Sequence, residues 1–348
     1  MKFNLPFFRK DIGIDLGTAN TLIYVRGQGL VVNEPSIVAF NNRLNRVVAI
    51  GKEAKRMLNR TPSHITAVRP LANGVISDFE MTQEMVKRFL KMITPQILGY
   101  ARVVVGVPTN LTEVERKSVE DAVLGSGAST VNLIAQPMAA ALGANLDISE
   151  PNAKMIIDIG GGTTDIAVIS LDGLVRAARL KIAGDKFDED IIRFMREEFK
   201  LVIGEPTAEE IKIAVGSVLP RSEKLEIAAR GRDLTSGLPK EIIVKDSQIR
   251  LALQRSIRSI IDAVKEVIES TPPELVGDIY RNGIYLCGGG SLLRGIDELI
   301  NKETSVNVKV VDDPLTCVVR GTGLVADNLD HYKNLLDILS GKQFDIYS

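Results

Sequence analysis

The chain has 348 residues, enough for two domains that each bury a core of their own. Hydrophobic residues make up 45% and charged residues 25%, and the formal net charge of −1 gives no overall field for nucleic acid, so no nucleic-acid partner is expected. Only two cysteines, Cys287 and Cys317, point away from a disulfide framework and toward a reducing cytoplasm; no apolar run reaches the ~18 residues of a bilayer span, and MKFNLPFFRK at the start lacks the apolar core of a signal peptide.

In chain order, the first element is an apolar hairpin over residues 11–26, IGIDLGTANTLIYV, with Asp15 and Gly17 at its turn. Short strands follow at 30–32, 36–40 and 47–50, divided by Pro35 and the Asn41-Asn42 turn, and then a short helix at 51–58. Residues 61–75, with Pro62, Pro70 and Gly74, read as a loop. Met85, Val86, Phe89 and Leu90 give 82–92 an apolar helical face. A strand at 101–107 ends at Pro108, and Thr112 with Glu115 forms a capping box for a helix that stops near Gly125 and Gly127. A strand at 131–135 leads to Gln136, and Pro137 opens a helix, MAAALGANL, whose alanines allow close packing on a neighbour. Residues 145–152 read as a crossing between domains.

The second half repeats the plan. A hairpin over 154–180, MIIDIGGGTTDIAVI at its start, carries Asp158 and Gly160 at its turn. Helices are expected at 187–199 and 208–215, a polar strand-like stretch at 226–244, and a long amphipathic helix at 248–270 that stops before Pro272-Pro273. A strand at 283–286 meets Cys287-Gly288-Gly289-Gly290, and a helix is expected from near Ser291, matching the strand–loop–helix of 102–120.

Asp15 and Asp158 occupy matching places in the two hairpins. A glycine turn exposes backbone N–H groups to an anion, and the Asp before it can hold a phosphate-bound Mg²⁺. Two such turns would grip a nucleoside triphosphate from both sides, whereas one alone reads as a hairpin that needs positive φ. Gly288–Gly290 before a helix start would suit the nucleotide and leave room for a flat base, or would simply make a tight turn. Glu209 and Lys212, three apart on one helical face, read by themselves as a surface ion pair. His64, His331 and the two cysteines have no metal-ligand spacing.

IDLGTANT, DIGGGTTD, QPMAAALG, TAEEIK and CGGGSLL stand in the order and spacing of the actin-like ATPase superfamily, which the chain resembles. GIDLGTANTLIYV, RTP, RPLANGVISDFE, TAEEIKIAVGS and GRDLTSGLPK are similar, more specifically, to the MreB family of bacterial actins that determine cell shape, and the resemblance runs from about Asp11 to Asn334. It implies an α/β, actin-like fold: two duplicated lobes, each with a central mixed sheet and a smaller inserted subdomain, and the nucleotide in the cleft between them. The implied division is a membrane-contacting segment at 1–10, subdomain IA at 11–32 and 76–148 with about 316–336 returning to it, and IB at 33–75. Subdomain IIA is then 149–182 and 246–315, IIB is 183–245, and 337–348 is a tail.

The resemblance also implies roles. ATP or ADP and Mg²⁺ are the expected cofactors, with Asp15 and Asp158 organising the metal. Gly17, Thr18, Ala19 and Asn20 would face the phosphates from one side and Gly160, Gly161, Gly162 and Thr163 from the other, with Gly184 and Asp185 lining the cleft nearby. Glu209 and Lys212 would contact ribose and the adenine edge, and Gly288, Gly289, Gly290 and Ser291 would lie against the adenosine. Where most of the family has Glu before the proline of its helix, this chain has Gln136, which cannot act as a general base but can orient water, so slow hydrolysis is expected with Gln136 and Asp158 at the reaction.

Implied partners are further copies of the chain, in filaments of paired protofilaments, the inner face of the cytoplasmic membrane, and the proteins of cell elongation and wall synthesis. The expected membrane contacts are Phe3, Leu5, Phe7 and Phe8, beside Lys2, Arg9 and Lys10, and the Ile97-Leu98 loop. A small-molecule kinase would need an acceptor-binding insertion that is not identifiable. A chaperone ATPase would need a following peptide-binding domain. A division-protein actin would rearrange the segment 33–73.

Overall fold

A computed structural model describes residues 11–93 and 102–337. Phe3, Leu5, Phe7, Phe8, Ile97 and Leu98, expected to touch a membrane, lie outside the described residues, as does the tail beyond Asp337. The chain divides into two compact units: unit 1 holds the chain up to Asn152, Ile169–Val175 and everything from Leu315, and unit 2 holds Ala153–Val168 and Arg176–Pro314.

Unit 1 begins with β1 (Ile12–Leu16), β2 (Asn20–Val25) and β3 (Gly29–Pro35), an antiparallel meander. After β4 (Val38–Asn41), β5 (Arg46–Ile50) and α1 (Gly51–Met57), the segment expected to be a loop contains three strands instead: β6 (Ile65–Val68), β7 (Leu71–Ala72) and β8 (Val75–Ile76). Two features hid them. Ile65–Val68 is a four-residue strand hemmed in by Pro62 and Pro70 that gains its bonds from distant β4, Val38 opposite Val68. Asn73 and Gly74, at φ 50° and 75°, make the two-residue hairpin turn that Asn-Gly favours. Then come α2 (Phe79–Ile93), β9 (Val103–Val107), α3 (Glu113–Gly125), β10 (Val131–Ala135) and α4 (Gln136–Gly143). Both bonds of the expected capping box form: the Glu115 amide donates to Thr112 Oγ1 at 3.2 Å, and the Thr112 amide donates to Glu115 Oε2 at 2.8 Å.

Unit 2 contains β11 (Lys154–Ile159), most of β12 (Thr164–Ser170) and of β13 (Gly173–Leu180), whose adjoining ends and turn at Ile169–Val175 belong to unit 1, and then α5 (Gly184–Phe199), β14 (Leu201–Val202) and α6 (Glu205–Val215). The polar stretch is the hairpin of β15 (Glu226–Asp233) and β16 (Pro239–Lys245), followed by α7 (Asp246–Glu269), α8 (Pro273–Asn282), β17 (Ile284–Cys287), α9 (Ile296–Thr304) and β18 (Val308–Val310). The helix expected from Ser291 does not start there. Gly289–Leu292 is a single 3₁₀ turn that ends at the extended Leu293, and α9 starts at Ile296 after Gly295 at φ 81°. The chain returns to unit 1 as α10 (Cys317–Asp327) and α11 (Lys333–Asp337).

The duplication is visible in the sheets. Unit 1 orders its main sheet β10-β9-β1-β2-β3, and the second sheet runs β18-β17-β11-β12-β13. In each, the central strand (β1 or β11) pairs in parallel with the next strand on one side and leads into a hairpin on the other. Central parallel strands are buried on both faces, so Ile12, Ile14, Val103 and Val105, like Ile156, Ile157, Ile284 and Leu286, have no exposed surface. Smaller sheets, β5-β4-β6 and β14-β15-β16, fall within the 33–75 and 183–245 insertions.

The alanine-rich α4 finds its close neighbour in α10. A Cβ on Gly321 would fall on the Ala139 carbonyl, one on Gly143 would fall on the Cys317 carbonyl, and Cys317 Sγ donates to Ala140 O at 3.1 Å. The same helix presses β1, where a Cβ on Gly13 would lie 2.6 Å from the Gly323 amide nitrogen. The strand bearing Asp15 and the helix bearing Gln136 are thus set by one shared neighbour.

Candidate functional site

In unit 1, Asp15 stands next to last in β1, opposite Leu22 of β2 and Gly106 of β9. Its carboxylate is partly buried and accepts a hydrogen bond from the Gln136 side chain. Burial pushes its pKa up to about 7, the Gln136 bond working in the opposite direction. Among the described residues no Lys or Arg offsets that burial. Gln136 is buried at the first position of α4, with Pro137 behind it.

The turn after Asp15 is braced from outside. Gly17 O accepts from Ser36 Oγ at 2.6 Å, Ser36 N donates to Ala19 O at 2.9 Å, and Thr18 Oγ1 accepts from Gly74 N at 2.9 Å. A Cβ on Gly17 would sit 2.6 Å from Asn20 O, so the turn is too tight for a side chain there. Gly17, Ala19 and Asn20 remain partly accessible, whereas Thr18 is buried.

In unit 2, Asp158 holds the equivalent place in β11, opposite Cys287 of β17. The glycine turn closes through Gly160 N donating to Thr163 O at 2.9 Å. Its carbonyls are taken by the start of α5: Gly184 N donates to Gly160 O at 3.2 Å and Asp185 N to Gly161 O at 2.8 Å. The amides of Gly184 and Asp185 are therefore spent on the turn. Gly162 and Thr163 are buried, and the Thr163 hydroxyl donates to Asp165 Oδ2 at 3.1 Å. Asp165, 3.9 Å from Arg179, is raised by burial. Asp165 closes the DIGGGTTD string but was assigned no role from sequence.

Gly288 packs onto the same strand end. At φ 78° it lies where a Cβ would strike Asp158 Oδ1 and the Ile159 carbonyl, and a Cβ on Gly290 would strike Ile159 Cγ2. Glycine at 288 is needed twice over, for its backbone conformation and for its contact with the carboxylate. Gly289 is exposed and Gly290 partly so. Ser291 is buried, and its hydroxyl donates to Gly288 O at 2.7 Å, so it ties the glycine turn rather than presenting a group outward.

Lys212 does not form the ion pair with Glu209 that spacing on α6 suggested. Its Nζ donates to Gly184 O at 2.9 Å and to Asp188 Oδ2 at 2.8 Å, stapling α6 to the first turn of α5. Asp188 was missed from sequence. Burial raises its pKa to about 6 against the pull of Lys212, with Glu209 and Asp185 adding to the rise. The signal that could have found it is its position one turn after Gly184-Asp185, on the α5 face that turns toward α6.

Among the described residues no three His, Cys, Asp or Glu side chains gather to hold a metal. That arrangement is not required of Mg²⁺ at a phosphate site, which takes one or two carboxylates plus water and phosphate oxygens. Asp15, partly buried and with no cationic side chain among the described residues offsetting its burial, fits such a cation in its donor chemistry. No described helix is long and apolar enough to cross a membrane.

Comparison with known proteins converges on one group. The family model "MreB/Mbl protein" matches residues 9–334. The cell shape-determining protein Mbl of Bacillus subtilis (strain 168) is 48% identical over 324 residues, covering 93% of this chain and 97% of that one. The crystal structure of MreB 5 of Spiroplasma citri bound to AMPPNP superposes with a TM-score of 0.88 at 42% identity, covering 94% of this chain and 98% of that chain. A MamK double helical filament matches in fold, with a TM-score of 0.79 at 24% identity over 92% of this chain and 99% of that chain. The fold is the actin-like one, and with a family model matched along nearly its whole length the chain belongs to the MreB/Mbl family.

Proposed function

We propose that this protein binds ATP with Mg²⁺, hydrolyses it slowly, and polymerises into membrane-associated filaments that organise wall synthesis and so determine rod cell shape. The observation that carries the nucleotide part is Asp15: a partly buried carboxylate at the end of a central strand, raised to about 7, with an amide as its partner and a braced glycine turn beside it. Burying a carboxylate without a countercharge is costly, and a phosphate-bound Mg²⁺ supplies that charge. In this reading Asp15 and Asp158 organise the metal and its waters, Gly17–Asn20 and Gly160–Thr163 receive phosphate oxygens, and Gly288–Gly290 lie against the adenosine. Glu209 and Lys212 contact ribose and the adenine edge.

Gln136 donates one amide hydrogen to Asp15. Its other N–H and its carbonyl oxygen remain to position the attacking water, without the proton acceptance that a carboxylate would add. Phosphoryl transfer depends chiefly on positioning and charge, so turnover is slow rather than absent.

Support for nucleotide binding comes from the relative solved with AMPPNP, and support for assembly from the filament of the fold relative MamK and the cell-shape role named for Mbl. Membrane attachment is proposed through Phe3, Leu5, Phe7, Phe8, Ile97 and Leu98, multiplied by avidity along a polymer. The test is pelleting with ATP, ADP or no nucleotide, with and without anionic vesicles, alongside phosphate release. ATP-dependent pelleting that rises with vesicles is expected; a chain that stays monomeric at high concentration in every condition refutes the filament reading.

A further inference from the structure

Lys212 carries three N–H donors, and two are already placed, one on Gly184 O at 2.9 Å and one on Asp188 Oδ2 at 2.8 Å. Two fixed bonds leave the third donor with one direction, which is a stricter arrangement than a flexible four-carbon chain normally adopts. The ammonium is partly buried, with side-chain exposure of 18% for Lys212 and 13% for Asp188. Held this way it is neither a solvated surface charge nor one half of the Glu209 pair.

Asp188 gains little for itself. Its second oxygen, Oδ1, is buried with no hydrogen-bond partner among the described residues. Glu209 and Asp185 add like charge nearby. An aliphatic residue would fill this place between helices at less cost. A carboxylate kept in a half-satisfied state beside one lysine points to a task performed on that lysine.

We propose that Asp188 is a positioning residue for nucleoside recognition: it holds Lys212 over Gly184 so that the remaining ammonium donor meets an acceptor atom of the bound nucleoside. This rests on the reading that Lys212 contacts adenosine. Asp188 acts through Lys212 and touches neither phosphate nor metal. Its removal therefore weakens ATP and ADP alike and leaves the affinity for magnesium tripolyphosphate, which has no nucleoside, unchanged.

The experiment is a double-mutant cycle on the full chain, with Asp188→Asn, Lys212→Met and the pair, read by calorimetric titration of ATP, ADP and magnesium tripolyphosphate. Asp188→Asn is expected to weaken ATP and ADP by about tenfold, the scale of one charge-assisted bond. In the Lys212→Met background the same change is expected to cost nothing further, and Asp188→Glu is expected to recover part of the loss. Additive losses, or an equal loss for tripolyphosphate, overturn the proposal. Thermal melting without nucleotide checks folding, and Asp188→Ser replaces Asp188→Asn in the cycle should the latter not fold. A wild-type chain that binds no ATP refutes the nucleotide reading itself, whereas wild-type binding with an additive cycle refutes only the role of Asp188.

Discussion

The contact between α4 and α10 makes a prediction with a sign. Replacing Gly321 by Ala puts a methyl group on the carbonyl, carbonyl carbon and Cα of Ala139. All three are backbone atoms of a helix, so no rotamer change relieves the overlap and the two helices must separate. Ala is the better helix former by about 1 kcal/mol, which works in favour of the variant. Overpacking that only backbone movement can relieve costs about 1–3 kcal/mol, and separation also loses dispersion contacts along the seam, including that of Gly143 with Cys317. We expect a net loss of roughly 1–3 kcal/mol. For a unit of this size that is a fall in Tm of roughly 3–10 °C. Gly277 is the internal control: it is exposed within α8, where a Cβ meets nothing within 4 Å, so Gly277→Ala keeps the propensity gain and raises Tm by roughly 1–4 °C. Differential scanning calorimetry of nucleotide-free protein reads both. A Gly321→Ala variant that melts at or above wild type refutes the claim that backbone contact sets the α4–α10 spacing.

Three further outcomes follow from individual contacts. Gln136→Glu replaces the amide beside Asp15 by a group able to accept a proton, and phosphate release from ATP is expected to rise at least about tenfold; turnover no faster than wild type removes the water-positioning role from Gln136. Ser256→Ala deprives buried Asp190 Oδ2 of its hydroxyl donor, leaving Lys186 and Arg193 on the other oxygen, and is expected to cost about 1–3 kcal/mol in urea unfolding; wild-type stability would mean that the two cations satisfy Asp190 alone. Asp188 has a folded pKa of about 6 against an ordinary 3.8, so the folded state binds more protons than the unfolded one between those values. Its contribution is therefore most favourable below pH 4 and is lost as pH rises to 6, despite Lys212 and with Glu209 and Asp185 reinforcing the shift. Wild type should lose stability relative to Asp188→Asn across that window, and parallel pH curves for the two proteins would contradict it.

What could be read from the chain depended on how local its cause was. The ends of β1 and β11 were legible because an apolar run, an Asp and a glycine turn lie within a few residues, and the capping box of α3 because its partners are three apart. The strand Ile65–Val68 was not, since its bonds come from β4 and its flanking prolines argue for a loop. The pattern of strand, glycines and helix places a helix start near Ser291, whereas the chain makes a 3₁₀ turn over Gly289–Leu292 and α9 begins only after Gly295 in the left-handed region. Glu209 and Lys212 were correctly placed on one helix, yet spacing could not show that the lysine reaches Asp188, 24 residues earlier. Nor could it show that the Gly184 and Asp185 amides are used up by the glycine turn.

The two main sheets share one plan, and one difference between them lies beside the two carboxylates. The residue beside Asp15 on the neighbouring parallel strand is Gly106, and the one beside Asp158 is Cys287. A Cβ at 106 would meet Val318 Cγ1 at 3.0 Å and Gln136 Cγ at 3.6 Å. A side chain there would press α10 through Val318, and α10 packs against α4, the helix that begins with Gln136. In unit 2 the neighbouring strand runs from Cys287 straight into Gly288, whose backbone occupies the corresponding place against Asp158. Beside Asp15 stands the Gln136 amide, and beside Asp158 the close-packed Gly288 turn. Under the proposed reading, the water-positioning amide belongs to unit 1 and the base-facing glycines to unit 2, and each unit contributes one metal-organising carboxylate. Gly106→Ala should then lower turnover by shifting α10 and, through it, Gln136 while leaving ATP affinity near wild type, whereas Gly288→Ala, whose methyl group strikes the Asp158 carboxylate, should lower both. Titration and phosphate release on Gly106→Ala and Gly288→Ala separate the two, and equal effects of both variants on both quantities would dissolve the division of labour.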